Sequence, residues 1–264
     1  MIFRILLGAT VAIVIAWAAK RARSLSAGGA LAAVVVGTVA AAAGWNWAIL
    51  LILYFASSTA LSRLGRAQKE RRTSSVVEKG GERDAAQVSA NGLVFLLAAL
   101  AMCFRPDALW VALGAGALAA SAADTWATEI GTLYGGQPRS ILGGRRIEPG
   151  TSGGISFAGT VASVAGAAFV ALIAFAGNTS ADRRISLAWA VFIAGIAGSV
   201  ADSLLGATIQ SRRWCETCQR ETERQVHDCG TTTIHRNGLA PLNNDVVNFV
   251  STLVGGLLAM SLAR

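Results

Sequence analysis

Hydrophobic residues come in long blocks separated by short polar stretches. A hydrocarbon core of about 30 Å takes roughly 20 residues at the helical rise of about 1.5 Å per residue. The blocks 2–19, 26–44, 45–62, 88–104, 108–133, 155–176, 186–208 and 243–262 approach or reach that length. They predict an all-α fold, a polytopic bundle of about eight transmembrane helices forming one domain over 1–264, with polar loops at 63–87, 134–154 and 211–241.

Composition supports the same class. The chain is 53% hydrophobic and 14% charged, whereas soluble domains are about 25% charged. The first block has a basic start like a signal peptide, but the cluster Lys20, Arg21 and Arg23 follows it. A stop-transfer flank of that kind favours a retained helix.

Charge sets the orientation. Of the 23 Lys and Arg, only Arg4, Arg105, Arg183, Arg184 and Arg264 fall outside the loops after the first, third, fifth and seventh blocks. The positive-inside rule then places those basic loops in the cytoplasm and both termini outside, in a multi-pass protein of the cell membrane. The net charge of +8 is explained by topology and anionic lipid headgroups, with no nucleic acid needed.

Small residues crowd the apolar blocks ("GALAASAAD", "GIAGSVAD"), as in bundles whose helices approach closely. Two internal likenesses suggest a parallel repeat: Ser121-Ala-Ala-Asp124-Thr125 with Ser199-Val-Ala-Asp202-Ser203, and "SAGGALAAVVVGT" with "TSGGISFAGT". Chance matches in Ala/Gly-rich text remain the alternative.

Carboxylates inside such blocks are costly and mark function. Asp124 and Asp202 lie toward the cytoplasmic ends of the fifth and seventh blocks, and Asp245 lies where the last block enters from that side. Glu129 follows Asp124 by five residues, about 140° around a helix at 3.6 residues per turn. Asp124 is therefore expected to face an interior site, with Glu129 reaching it from the helix end or binding a loop cation. Oxygen ligands from several helices suit Mg2+, which bridges carboxylates to substrate phosphates; Asp124 and Asp202 are the expected ligands.

Basic and amide groups flank these acids. Arg139 and Arg145 share a loop with Gly150, Thr151, Ser152, Gly153 and Gly154, a Gly-rich turn before a helix that could bind phosphate through free N–H groups. Lys79 and Arg83 precede the fourth block, where Asp84, Gln87 and Asn91 recur at helical spacing, and Asn244 and Asn248 open the last one. Cys215, Cys218, His227 and Cys229 read as a zinc knuckle, since a cytoplasmic loop is reducing; free thiols are the alternative. No G-x-x-x-x-G-K-[ST] stretch or kinase-type catalytic loop is present.

The ordered segments "KGGERDAAQVSANG", "SAADTWATEIG", "GGQPRS", "PGTSGGISFAGT", "ADSLLGATIQ" and "NNDVVN" resemble the integral-membrane family that includes the phytyl-phosphate kinases of tocopherol biosynthesis. That resemblance implies transfer of a phosphoryl group from a nucleoside triphosphate, CTP first among them, to a membrane-held prenyl monophosphate. The Cys/His insert is not required by the family pattern. Two other activities fit the same residues: cytidylyl transfer to a lipid phosphate, and transport, for which a site near mid-membrane is expected.

Overall fold

The computed structural model describes residues 2–177 and 181–264, apart from the side chains of 181–183. The side chain of Arg183, counted above among the outside charges, thus lies outside the described residues. All eight apolar blocks are helical: α1 (Ile2–Arg21), α2 (Ala27–Ala43), α3 (Trp45–Arg63), α5 (Ala85–Phe104), α6 (Ala108–Tyr134), α7 (Phe157–Ala176), α8 (Ala181–Thr208) and α9 (Asn244–Leu262). Seven are long and apolar enough to cross a membrane. The other, α2, has 17 residues, about 26 Å of helix.

One helix was not expected. α4 (Arg66–Thr73) lies within the polar stretch 63–87. It has no apolar stripe, but Arg66 and Glu70 are four residues apart and pair at 2.7 Å, the spacing that stabilises a helix surface. Arg72 fastens it to α6 by donating to the carbonyls of Thr132 (2.6 Å) and Gly136 (2.6 Å).

α6 is the hub, the most buried of the seven long spans, and it packs chiefly on α5, α7, α8 and α9. Its buried run from Gly114 to Ala123 is nearly all Ala and Gly. Dispersion between closely approaching backbones, rather than the hydrophobic effect, drives association of helices in lipid. α6 and α8 run in the same direction, and both end at the face where α2, α5, α7 and α9 begin. Arg4 and Arg264 line a second cavity together with Gly44, Asp107 and Gly177, so both chain ends meet at the other face.

Capping fixes where the helices start at the first face. Ser26, Asp84, Ser156 and Asn243 each accept a backbone N–H three residues on, and Asp84 with Gln87 forms a reciprocal capping box. Gln87 thus serves its own helix end as well as the polar face read from the sequence. Two small sheets decorate this face. β1 (Arg139–Ser140) pairs antiparallel with β2 (Gly154–Ile155), and β3 (Arg212–Cys215) lies between β4 (Arg220–Thr222) and β5 (Ile234–Asn237), antiparallel to both.

Candidate functional site

A cavity of about 600 Å³ opens where these helix ends converge. Asp124 of α6 and Asp202 of α8 line it, and their carboxyls come within hydrogen-bonding reach of each other. Oδ2 of Asp202 is buried without a hydrogen-bond partner, and neither acid forms an ion pair among the described residues. Two facing carboxylates with an unsatisfied oxygen offer hard oxygen donors, the kind of ligand a divalent cation such as Mg2+ takes.

The other two expected acids are committed elsewhere. Glu129 accepts from Ser62 Oγ at 2.5 Å and forms an ion pair with Lys69 of α4. Lys69 is buried and also donates to the carbonyls of Leu61 (2.8 Å) and Ser62 (3.0 Å), so the pair is fully hydrogen-bonded. Asp245 pairs with Lys79 at 2.5 Å, and Lys79 reaches Asp84 at 2.9 Å. Desolvation pulls the Lys79 ammonium down, but the two acids outweigh it and hold the group above the usual lysine range. Glu129 and Asp245 are thus cavity-lining acids with lysine counter-ions, and Lys79, expected to bind phosphate, is paired with two carboxylates.

Lys79 and Arg83, both expected from the sequence, line the cavity, and further basic residues join them from unexpected segments. Arg23, Arg63 and Arg66 line the cavity beside Arg83. Arg63 donates to Ser24 Oγ (2.7 Å) and Arg83 to Ser62 Oγ (3.0 Å), neutral partners that orient both guanidiniums without cancelling their charge. Among the described residues Arg23, Arg63 and Arg83 form no ion pair. Arg139 and Arg145 correct the sequence expectation, since neither lines the cavity. Arg139 closes its own loop by donating to Gly144 O (3.0 Å), and Arg145 is exposed.

The turn Gly150–Gly154 does line the cavity, but its amides are largely occupied. Thr151 N–H goes to Glu148 O (3.2 Å), Gly154 N–H to Thr151 O (3.1 Å), and Ser152 offers both its hydroxyl and its N–H to Glu223. Within the expected phosphate cradle, Ser152 is thus taken by a carboxylate from the chain's own loop. Nothing in the sequence singled out Glu223, which follows β4 directly and approaches Ser152 only because the sheet folds back over the bundle.

Burial pushes the Glu223 carboxyl up to about 7, while Ser152 and the Arg212 charge pull the other way. A folded state that holds this proton more tightly than the unfolded chain loses stability as pH rises from about 4.5 to about 7. Thermal midpoints in detergent are therefore expected to fall between pH 5 and pH 8 in wild type by more than in Glu223→Gln. Parallel pH profiles for the two proteins would refute this.

Amides complete the lining. Asn91 accepts from Ser121 Oγ (2.7 Å), which also bonds the buried Tyr54 hydroxyl (2.7 Å), and Asn244 and Asn248 enter from α9. On one side the wall turns apolar: Val164 of α7 and Ile196 and Val200 of α8 line the cavity, and Val164 and Val200 are exposed.

Residues 10–256 match the family described as integral membrane protein DUF92. The chain belongs to this family. Its relatives include Protein PGR of Arabidopsis thaliana, 30% identical over 97% of this chain and 95% of the relative. An uncharacterized membrane protein of Methanocaldococcus jannaschii is 29% identical over 98% and 94%. Protein VTE6, chloroplastic, of Arabidopsis thaliana is 27% identical over 89% and 64%. No solved structure matches the chain. Membership establishes an integral multi-pass membrane protein, in keeping with the apolar helices.

Outside the cavity, Cys215, Cys218, His227 and Cys229 converge, with one ligand atom of each within 4.8 Å of the others. The spacing read from the sequence thus becomes a cluster able to bind a metal.

Proposed function

We propose that the chain is a prenyl-phosphate kinase, transferring the γ-phosphoryl group of a nucleoside triphosphate, CTP by preference, to a membrane-held prenyl monophosphate such as phytyl or geranylgeranyl phosphate. One observation carries the reading: the unpaired acids Asp124 and Asp202 face an arginine-lined cavity whose wall turns apolar on one side. Such a site suits a substrate with a phosphate at one end and a hydrocarbon chain at the other. The resemblance of the six ordered motifs to phytyl-phosphate kinases, and the family shared with Protein VTE6, support the same class.

Phosphoryl transfer asks mainly for positioning and charge neutralisation. Asp124 and Asp202 would hold Mg2+, which when bound neutralises the phosphate oxygens and aligns them. Arg23, Arg63 and Arg83 would clamp the two phosphate groups, with Lys79 joining on release from Asp245. Asn91, Asn244 and Asn248 would orient the nucleotide or acceptor. Val164, Ile196 and Val200 would receive the first isoprene units while the rest of the chain stays in lipid. An oxygen of the acceptor phosphate attacks the γ-phosphorus, the bond to the β,γ-bridging oxygen breaks, and the nucleoside diphosphate leaves. The acceptor is already anionic, so no general base is needed. The basic loops support a cytoplasmic position for this face by the positive-inside rule, with both termini outside.

The decisive measurement incubates purified protein with Mg2+, CTP and geranylgeranyl phosphate and separates the nucleotide products. CDP with prenyl diphosphate is the expected result. Pyrophosphate would instead make it a cytidylyltransferase, and substrate uptake into liposomes without nucleotide turnover would make it a transporter.

A further inference from the structure

The segment between α8 and α9 folds into the β3–β4–β5 sheet with almost no apolar core. Val226, Ile234 and Leu239 are about half exposed, and all four residues of β5 face solvent. Its buried side chains are Gln210, Cys215, Thr222, His227 and Thr233, none a large hydrophobe. A unit of some 30 residues cannot stabilise itself on so little apolar burial and needs a staple. The three cysteines are free thiols. Cys215 Sγ and Cys229 Sγ lie 3.5 Å apart, far beyond a disulfide bond of about 2.05 Å but close to the separation of two ligands on one tetrahedral ion. His227 Nδ1 faces Cys229 Sγ at 3.4 Å, and its Nε2 is buried without a partner. The cluster, rather than a hydrogen bond to Nε2, accounts for the position of this buried ring.

We propose that Cys215, Cys218, His227 and Cys229 bind one structural Zn2+ ion, and that this ion holds folded the sheet that carries Glu223 onto the Gly150–Gly154 turn. Three thiolates and an imidazole closing a tetrahedron are a soft donor set that suits Zn2+, and with no position left for water the site is structural. The consequence runs through the strands. Cys215 ends β3, which pairs with β4 (Cys215 opposite Arg220, Arg213 opposite Thr222), and β4 leads straight into Glu223. From there Glu223 N–H donates to Val76 O (2.9 Å), Arg224 to Ser74 O (2.7 Å), and Arg212 to the carbonyls of Gly206 (3.1 Å) and Ser152 (3.3 Å). The metal thereby ties the turn, the end of α8 and the segment after α4 into one wall of the cavity. Glu223 is a positioning residue: it holds Ser152 and so shapes the wall. That last step rests on the cavity being the nucleotide site proposed above; the metal site itself does not.

The test uses the full chain in detergent, freed of any affinity tag. Elemental analysis is expected to find one equivalent of zinc in wild type, and none in Cys218→Ser or Cys229→Ser. His227→Cys, which restores a fourth soft ligand, is expected to retain zinc. On chelation, limited proteolysis should cut within 211–241 while leaving the helices intact, and added Zn2+ should restore resistance. Chelation and Ser152→Ala are both expected to raise the KM for CTP several-fold with a smaller effect on kcat. Wild type without zinc would overturn the metal site whether or not any variant folds. Zinc whose removal leaves protease resistance unchanged would overturn its role in the fold. If zinc and protection behave as expected but no nucleotide turns over, the kinase reading fails and the metal site stands.

Discussion

Asp124→Asn and Asp202→Asn are each expected to lower diphosphate formation on the order of 100- to 1,000-fold, the usual loss when one preorganised charge-stabilising group is removed from a phosphoryl or acyl transfer site. The substitution keeps the shape of the side chain and removes its charge. The variants should therefore elute as wild type does on size exclusion and need far higher Mg2+ for residual turnover. The structure makes the contrast with the other two acids specific. Asp124 and Asp202 face each other without cationic partners among the described residues, whereas Glu129 and Asp245 are neutralised by Lys69 and Lys79. Glu129→Gln is accordingly expected to act on stability, because it leaves the buried Lys69 ammonium without its counter-charge. Turnover within twofold of wild type in both Asn variants would remove the acid pair from the mechanism and with it the reason for placing Mg2+ there.

Gly116→Leu is expected to destabilise the bundle by about 3 kcal/mol or more, the upper range for overpacking a close-packed interior. A Cβ at Gly116 would lie 2.4 Å from Ala259 Cβ and 2.6 Å from Gly255 O, so a backbone carbonyl of α9 would have to move. The same contact is tight from the other side, since a Cβ on Gly255 would lie 2.6 Å from Ala120 Cβ. α8 closes in similarly, with Gly198 allowing 2.3 Å to Ala120 Cβ. One added side chain therefore pushes at the junction of three helices, and α6 has no free face on which to yield. Thermal unfolding in detergent reads the effect, with Gly80→Ala as the control because a Cβ there meets nothing within 4 Å. Equal midpoints for Gly116→Leu and wild type would show that the small residues are not what sets the helix spacing.

These two expectations draw on different kinds of sequence information. Asp124 and Asp202 stood out in the chain because a carboxylate costs so much in an apolar block that it needs a reason. Their meeting followed from α6 and α8 running the same way with an Asp at comparable depth, which the echo of "SAADT" in "SVADS" had suggested. Arg63 and Lys69 carried no such signal. They sit in a charged stretch where every residue looks solvated, and only the packing of α4 on α6 shows that Lys69 is buried against Glu129. Glu223 was equally hidden, being one of several charges in a loop noticed for its cysteines.

The class of the protein is legible in the chain alone: eight apolar helices, their limits to within a few residues for most of them, and membership of its membrane family. It is legible because the bilayer imposes one strong rule, that backbone groups in hydrocarbon bond internally, and an apolar run of the right length can obey it only as a helix. Packing in three dimensions selects which polar groups neutralise one another and which are left for a ligand. It keeps Arg139 and Arg145 off the cavity wall, gives Glu129 and Asp245 to lysines, ties Ser152 of the glycine turn to Glu223, and leaves Asp124, Asp202 and three arginines facing the cavity. Pairing of charges at the ends of the helices depends on a few ångströms of separation between segments far apart in the chain, and no periodicity along the chain encodes that distance.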